Sequence, residues 1–138
     1  MQETLEDYLF QSLNHSKPVA FTKNNYKRHI PRHPFIAGEE GLSKIEDALL
    51  NPQVITHYTQ KDPKISYERK CQSFYRILKR KSIGNNRFLL DYWQVVIINN
   101  KWHRRWEIAT VLYEEGSPEY AMINSRVESI LHDYRNPS

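Results

Sequence analysis

The stretch from Arg87 to Asn99 constrains the fold more than any other part of the chain. On an extended backbone Leu89, Trp93, Val95 and Ile97 fall on one face, and Phe88, Leu90, Tyr92, Val96 and Ile98 on the other. Apolar groups on both sides predict a central strand, flanked by other strands and covered on its faces. Asn99-Asn100 predicts a tight turn, and Trp102 to Tyr113 a returning strand, with Trp93 and Trp106 pairing across the two. Upstream, the Tyr-, Phe- and Ile-rich run from Ile65 to Leu78 and the β-branched run from Val54 to Thr59 supply two more strands. The sheet expected from these runs is a four-stranded antiparallel meander.

Around it the periodicity is helical. Leu5, Tyr8, Leu9 and Leu13 are spaced for a helix over residues 3 to 13, behind Glu3, Glu6 and Asp7. Ile45, Ala48 and Leu49 predict a second helix over about 40 to 50, stopped by Asn51-Pro52. Ser117-Pro118-Glu119 has the composition of a helix start, and Met122, Ile123, Val127, Ile130 and Leu131 extend that helix over 118 to 134. Asn14 to Pro34 carries no sustained period and reads mostly as loop, with a short edge strand at Val19 to Thr22. The expected fold is α+β: N-terminal helices, then the four-stranded antiparallel meander, then a C-terminal helix, in a single domain over residues 1–138.

Composition narrows the function classes. Cys71 is the sole cysteine, which excludes an intramolecular disulfide and a four-thiolate zinc site and fits a reducing compartment. The opening residues lack a basic, then apolar, leader, and the longest apolar run, Val95 to Ile98, is far short of the roughly 20 residues that cross a bilayer. The sequence therefore predicts a soluble cytoplasmic protein with no membrane partner. The formal net charge is +4, and its placement matters more than its size. Lys23 to His33 contains Lys23, Lys27, Arg28 and Arg32 and no acid; Arg69 to Arg87 contains Arg69, Lys70, Arg76, Lys79, Arg80, Lys81 and Arg87 and no acid. Such stretches suggest an anionic partner, nucleic acid first, or else plain solvated faces.

The densest chemical signal is Lys27-Arg28-His29-Ile30-Pro31-Arg32-His33-Pro34. Two imidazoles can divide general-base and general-acid work on a phosphodiester, and nearby cations stabilise charge on the phosphate oxygens. The competing reading is a basic surface loop whose histidines cap a helix end or contact the core. A zinc site, suggested by the i, i+4 spacing of His29 and His33, is disfavoured by Pro31 and by the lack of an HExxH pattern, so no cofactor is expected. Arg76, between Phe74 and Leu78, is the preferred phosphate cation, with Arg69 and Lys79 as alternatives. Trp102-His103-Arg104-Arg105-Trp106 forms a second basic aromatic cluster, suited to stacking on unpaired bases, with Trp102 the more exposed of its tryptophans. Lys27, Arg28, Arg32, Lys79, Trp102, Arg104 and Arg105 make up the expected nucleic-acid contacts. Cys71 carries no nucleophile signature and reads as structural.

His29 with Arg32-His33-Pro34, a helix ending in Asn51-Pro52, a basic aromatic strand, a hydrophobic strand and a last strand with Thr110 and Tyr113 together resemble the small metal-independent ribonuclease toxins of the barnase-, colicin- and RelE-like fold. The likeness spans about residues 27 to 113. It implies RNA as substrate, cleavage by general acid/base chemistry without metal, and a neutralising antitoxin or immunity protein as partner. It makes His29, His33, Thr110 and Tyr113 the catalytic candidates beside Arg76. The chain departs from the family in reading Thr110-Val111-Leu112-Tyr113, which sets Thr110 and Tyr113 on opposite faces of an ideal strand unless a bulge intervenes. The alternative class is a non-catalytic nucleic-acid-binding or protein-interaction domain using the same basic stretches.

Overall fold

The computed structural model describes residues 2–3, 7–61, 68–124 and 128–133. In chain order its elements are β1 (Gln2–Glu3), β2 (Asp7–Phe10), β3 (Val19–Thr22), α1 (Lys23–His29), a 3-10 turn (Pro34–Ile36), α2 (Gly38–Leu50), β4 (Val54–Lys61), β5 (Glu68–Gly84), β6 (Arg87–Asn100), β7 (Arg105–Pro118), α3 (Glu119–Asn124) and β8 (Ser129–Asp133). All eight strands join one sheet in the order β1-β2-β3-β7-β6-β5-β4-β8. Every pairing is antiparallel except β3 with β7, where Ala20 lies opposite Glu107 in a parallel pair. β6 lies inside this sheet, between β5 and β7, as its two apolar faces require.

This architecture overturns the expected fold class. Most of the described chain is strand, and the sheet is mixed and much wider than a four-stranded meander flanked by terminal helices. The helix expected over 3 to 13 is replaced by β1 and β2, with residues 4–6 outside the described set. Asp7–Phe10 pairs along its length with Val19–Thr22. The β-branched and aromatic Val19-Ala20-Phe21 gives that short segment a backbone partner, which outweighs a helical spacing too brief to stabilise itself. The helix expected over 118 to 134 begins as α3 but ends by Asn124, and Ser129–Asp133 becomes β8 on the open edge of β4. Residues 125–127 and 134 lie outside the described set. An unpaired strand edge offers a full ladder of backbone partners, which Ile130 and Leu131 join more readily than they extend a helix.

The reading of Asn14 to Pro34 as mostly loop also gives way, because α1 occupies its middle. Thr22 caps α1, its hydroxyl accepting from Asn25 N at 3.2 Å, and Tyr26 is the helix's only buried residue. A helix held to the sheet by one aromatic leaves no periodic signal in sequence. Tyr26 is also the hinge pin of the segment that follows: its hydroxyl donates to Ile36 O at 2.9 Å and accepts from Gly38 N at 2.9 Å. α1, the 3-10 turn and the start of α2 are thereby tied together.

α2 lies across one face of the sheet. Its Leu42, Ile45, Ala48 and Leu49 pack with Ile55, Phe74, Val95, Ile97, Ile108 and Val111 in the main core. Gly41 lets the 3-10 turn press against α2: a Cβ there would sit 2.1 Å from the Ile36 carbonyl carbon. On the opposite face a smaller cluster joins Val54, Tyr75, Leu90 and Tyr92 to Met122 of α3. Cys71 is buried, and burial pushes its thiol up despite the nearby Arg69 charge, which fits a structural residue. Among the described residues no helix is long and apolar enough to cross a membrane.

Candidate nucleic-acid interface

Most of the residues singled out from sequence fall into two regions, with Arg76, Thr110 and Lys79 outside both. The first is the cap formed by α1 and the 3-10 turn. Pro31 does not prevent helical geometry beyond His29, because His33 N donates to His29 O at 2.8 Å and carries one further i, i+4 step. The two imidazoles therefore lie one above the other, with ring centroids 5.8 Å apart and planes inclined by 26°. His29 Nδ1 donates to Asn25 O at 3.0 Å, which leaves Nε2 as the free position of that ring. His29 also contacts Phe21, and His33 contacts Phe35.

Phe35 separates this pair from the sheet. Its ring stands edge-on to Trp93 at 5.0 Å and lies 6.0 Å from Tyr113, so an apolar ring stands between the imidazoles and these two side chains of the sheet. Trp93 is opposite Tyr113 rather than Trp106; the expected tryptophan pair does not form, and Trp106 is opposite Asn99. Arg76 lies next to Trp93 on the far side and is already used: its Nε donates to Asp47 Oδ2 of α2 at 2.8 Å. Burial works to raise the Asp47 carboxyl, but hydrogen bonds from Asn51 and Arg76 and the Arg76 charge together hold it below its ordinary range. Tyr113 donates its hydroxyl to Glu115 Oε1 at 2.8 Å, and that hydrogen bond pushes the phenol up, away from any role as a base near neutral pH.

Thr110 is on the other side of the sheet. A bulge does interrupt β7, but between Ile108 and Thr110, upstream of the interval separating Thr110 from Tyr113. Thr110 is opposite Val96 and Tyr113 opposite Trp93, three residues apart on an unbroken stretch of β6, so the two point to opposite faces. The same bulge turns both Ile108 and Val111 into the main core, which simple alternation does not anticipate. Of the catalytic candidates, the structure brings His29 and His33 together, places Tyr113 on the far side of Phe35, and keeps Arg76 and Thr110 apart from them. Lys27, Arg28 and Arg32 are exposed on the cap around the histidines.

The second region is the end of the sheet where β6 turns into β7. Residues 101–104 form the turn, starting two residues later than the sequence suggests, and Asn100 organises it by accepting from Trp102 N at 3.0 Å and His103 N at 3.2 Å. Arg104 takes a left-handed backbone conformation with φ of 54°. The turn projects Trp102 into solvent with 87% of its surface exposed, the largest such value among the exposed large apolar residues.

Two concavities adjoin at Asn99. One, about 430 Å³, is walled by Glu68, Arg69, Ile98, Asn99, Lys101 and Trp102, so that one carboxylate faces it beside two cations. The other, about 230 Å³, is walled by His15, Lys17, Asn99, Arg104, Arg105 and Trp106. His15 is fixed there between Trp106, at 4.9 Å between ring centroids, and Gln72 Oε1, 2.7 Å from its Nε2. Arg105 is committed to structure, bonding Asp7 Oδ2 at 2.8 Å and Glu107 Oε2 at 2.7 Å. Glu107 is buried; burial would raise its carboxyl, but hydrogen bonds from Asn100, His103 and Arg105 and the Arg105 charge outweigh it and hold the carboxyl below its ordinary range. That network stiffens the turn while leaving Lys17, Lys101 and Arg104 exposed.

His15, Lys17, Asn99 and Lys101 also line this region, although nothing in the sequence singles them out for it. His15 and Lys17 reach it only through the course of the chain before β3, and no local pattern marks them. Comparison with protein-family models, with curated proteins and with solved structures returns no match.

Proposed function

We propose that the chain is a nucleic-acid-binding domain that takes single-stranded RNA at the β6–β7 end of its sheet. A base stacks on Trp102 over the larger concavity, and Lys17, Lys101 and Arg104 hold the flanking phosphates. The observation that carries this reading is the exposure of Trp102, 87%, on a turn braced by the Glu107 network. On a braced backbone a large aromatic has only two side-chain torsions left to fix when a base covers it, and every base offers a face to stack on. RNA rather than DNA is chosen on the likeness of the His29 to Tyr113 pattern to the ribonuclease toxins. Quenching of tryptophan fluorescence by an oligouridylate strand, with the matching deoxy strand as control, measures it. Trp102→Ala is expected to weaken RNA binding by roughly 10- to 100-fold, the value of one stacked base, and Trp102→Phe by less. Equal affinity of wild type and Trp102→Ala sinks the proposal.

A second reading, metal-independent cleavage of RNA by His29 and His33, is favoured by one observation: the Asn25 carbonyl fixes the His29 tautomer and leaves Nε2 available as a base. It ranks lower because Phe35 stands between the imidazoles and the sheet and Asp47 already neutralises Arg76. Intact RNA after long incubation in EDTA is the expected result. Cleavage that disappears in the His29→Ala/His33→Ala variant would reverse the ranking.

A further inference from the structure

Opposite the Trp102 turn, β5 and β6 run past the rest of the sheet as an arm. The pairing of β4 with β5 ends at Val54 opposite Tyr75, and the Gln53 side chain then closes that edge, donating to Ile77 O at 3.0 Å and accepting from Ile77 N at 2.7 Å. On the other side β7 follows β6 only as far as Pro118 opposite Leu89. Beyond these points Ser82–Phe88 stands as a two-stranded ribbon, closed by Asn85 and Asn86, both with positive φ, as a tight hairpin turn requires.

The arm is exposed from Leu78 to Arg87 and carries cations without a carboxylate of its own. Lys79, Lys81 and Arg87 form no ion pair with any described residue. Arg80 has a different task. Its guanidinium lies 3.5 Å from the Phe88 ring centroid and bonds Glu119 of α3 through Nε at 2.7 Å and Nη2 at 3.1 Å. That clamp fastens the arm to α3, so its backbone is held to the rest of the fold. The stretch between arm and turn is not a continuous basic track, because Asp91, Glu114 and Glu115 lie at the arm's root. β6 separates the two cationic ends by 14 residues, about 45 Å of extended chain.

We infer that the β5–β6 arm is a second phosphate-binding surface for the same RNA strand, so that long RNA is held at two places and short RNA at one. The inference rests on the Trp102 reading above. Lys79, Lys81 and Arg87 bind phosphates without reading sequence, and the tethered second contact forms at high effective concentration.

The test compares oligouridylates of about 6 and about 20 nucleotides, since roughly a dozen stacked nucleotides at about 3.4 Å each are needed to span the distance. The longer strand is expected to bind roughly 100-fold tighter, beyond the few-fold gain from extra binding registers. Lys79→Ala/Lys81→Ala/Arg87→Ala is expected to abolish that gain and to reduce the salt dependence of the long strand by about two logarithmic units, while short-strand affinity stays at the wild-type value. The unchanged short-strand affinity doubles as the control for folding. A triple variant that binds the long strand as tightly as wild type overturns the inference and leaves the Trp102 reading intact. Short-strand binding indifferent to Trp102→Ala defeats both.

Discussion

The cap around His29 and His33 and the turn around Trp102 contain similar side chains, and the fold treats them in opposite ways. In the cap, imidazoles and aromatic rings form a chain of contacts, Phe21 to His29 to His33 to Phe35 to Trp93, that continues into the main core. At the turn, Glu107 and Arg105 are the packed charges, and Trp102, Lys101 and Arg104 are left facing water. Glu107 is fixed beneath Asn100, His103 and Arg105, and the groups able to touch a ligand stand above it. A local cluster of histidines and cations in sequence therefore marks chemistry only when something else supplies the packing. In the cap the histidines are themselves part of the packing.

The sharpest way to break this contrast is to loosen the cap. Gly41→Ala forces the 3-10 turn off α2, with backbone rather than a flexible side chain in the way, and should cost about 3 kcal/mol or more of unfolding free energy in denaturant titration. RNA affinity at the turn should survive in the fraction that folds. A parallel loss of specific affinity, per folded molecule, would mean that the cap and not the turn binds RNA. Trp102→Ala should do the reverse: unfolding free energy within about 0.5 kcal/mol of wild type, but RNA affinity lower by the factor given above.

Glu107 tests whether the turn is braced as described. Its folded carboxyl is held below the ordinary 4.5, so its stabilising contribution is present above that pH and is lost as the pH falls through the depressed folded value. Wild type should lose stability as pH is lowered through and below the ordinary carboxylate range, and Glu107→Gln should be less stable at neutral pH by about 2 kcal/mol and flatter in that acid range. An acid profile unchanged in the variant would remove Glu107 as the brace and leave Asp47 to account for the slope. The smallest expected effect is that of Arg104→Ala, a uniform weakening across RNA sequences with the salt slope reduced by about one.

Much of the sheet was legible in sequence for a plain reason. β6 is apolar on both faces, and β4 to β7 are neighbours both in the chain and in the sheet, so local pattern and nearest-neighbour pairing agree. α2 was legible because Ile45, Ala48 and Leu49 mark the side that faces the core. What failed were the segments whose structure depends on a distant partner. β2 and β8 are strands because β3 and β4 offer them edges, and α1 exists because Tyr26 is gripped by Ile36 and Gly38. The Trp102 cluster was visible, but its companions His15 and Lys17 arrive from more than eighty residues away, and Asp7, in its ion pair with Arg105, from 98.

By itself, the order of the residues determined that this chain builds a sheet around Arg87–Asn100, that it is basic in patches, and that Trp102 lies beside cations. These are local quantities, set by alternation, charge and composition. Only the tertiary structure decided that Phe35 stands between the histidine pair and the sheet, that Asp47 consumes the charge of Arg76, and that Thr110 and Tyr113 face apart. Each of those outcomes turns on which surface comes to lie against which, and burial and hydrogen bonding between distant segments settle that once the chain has folded.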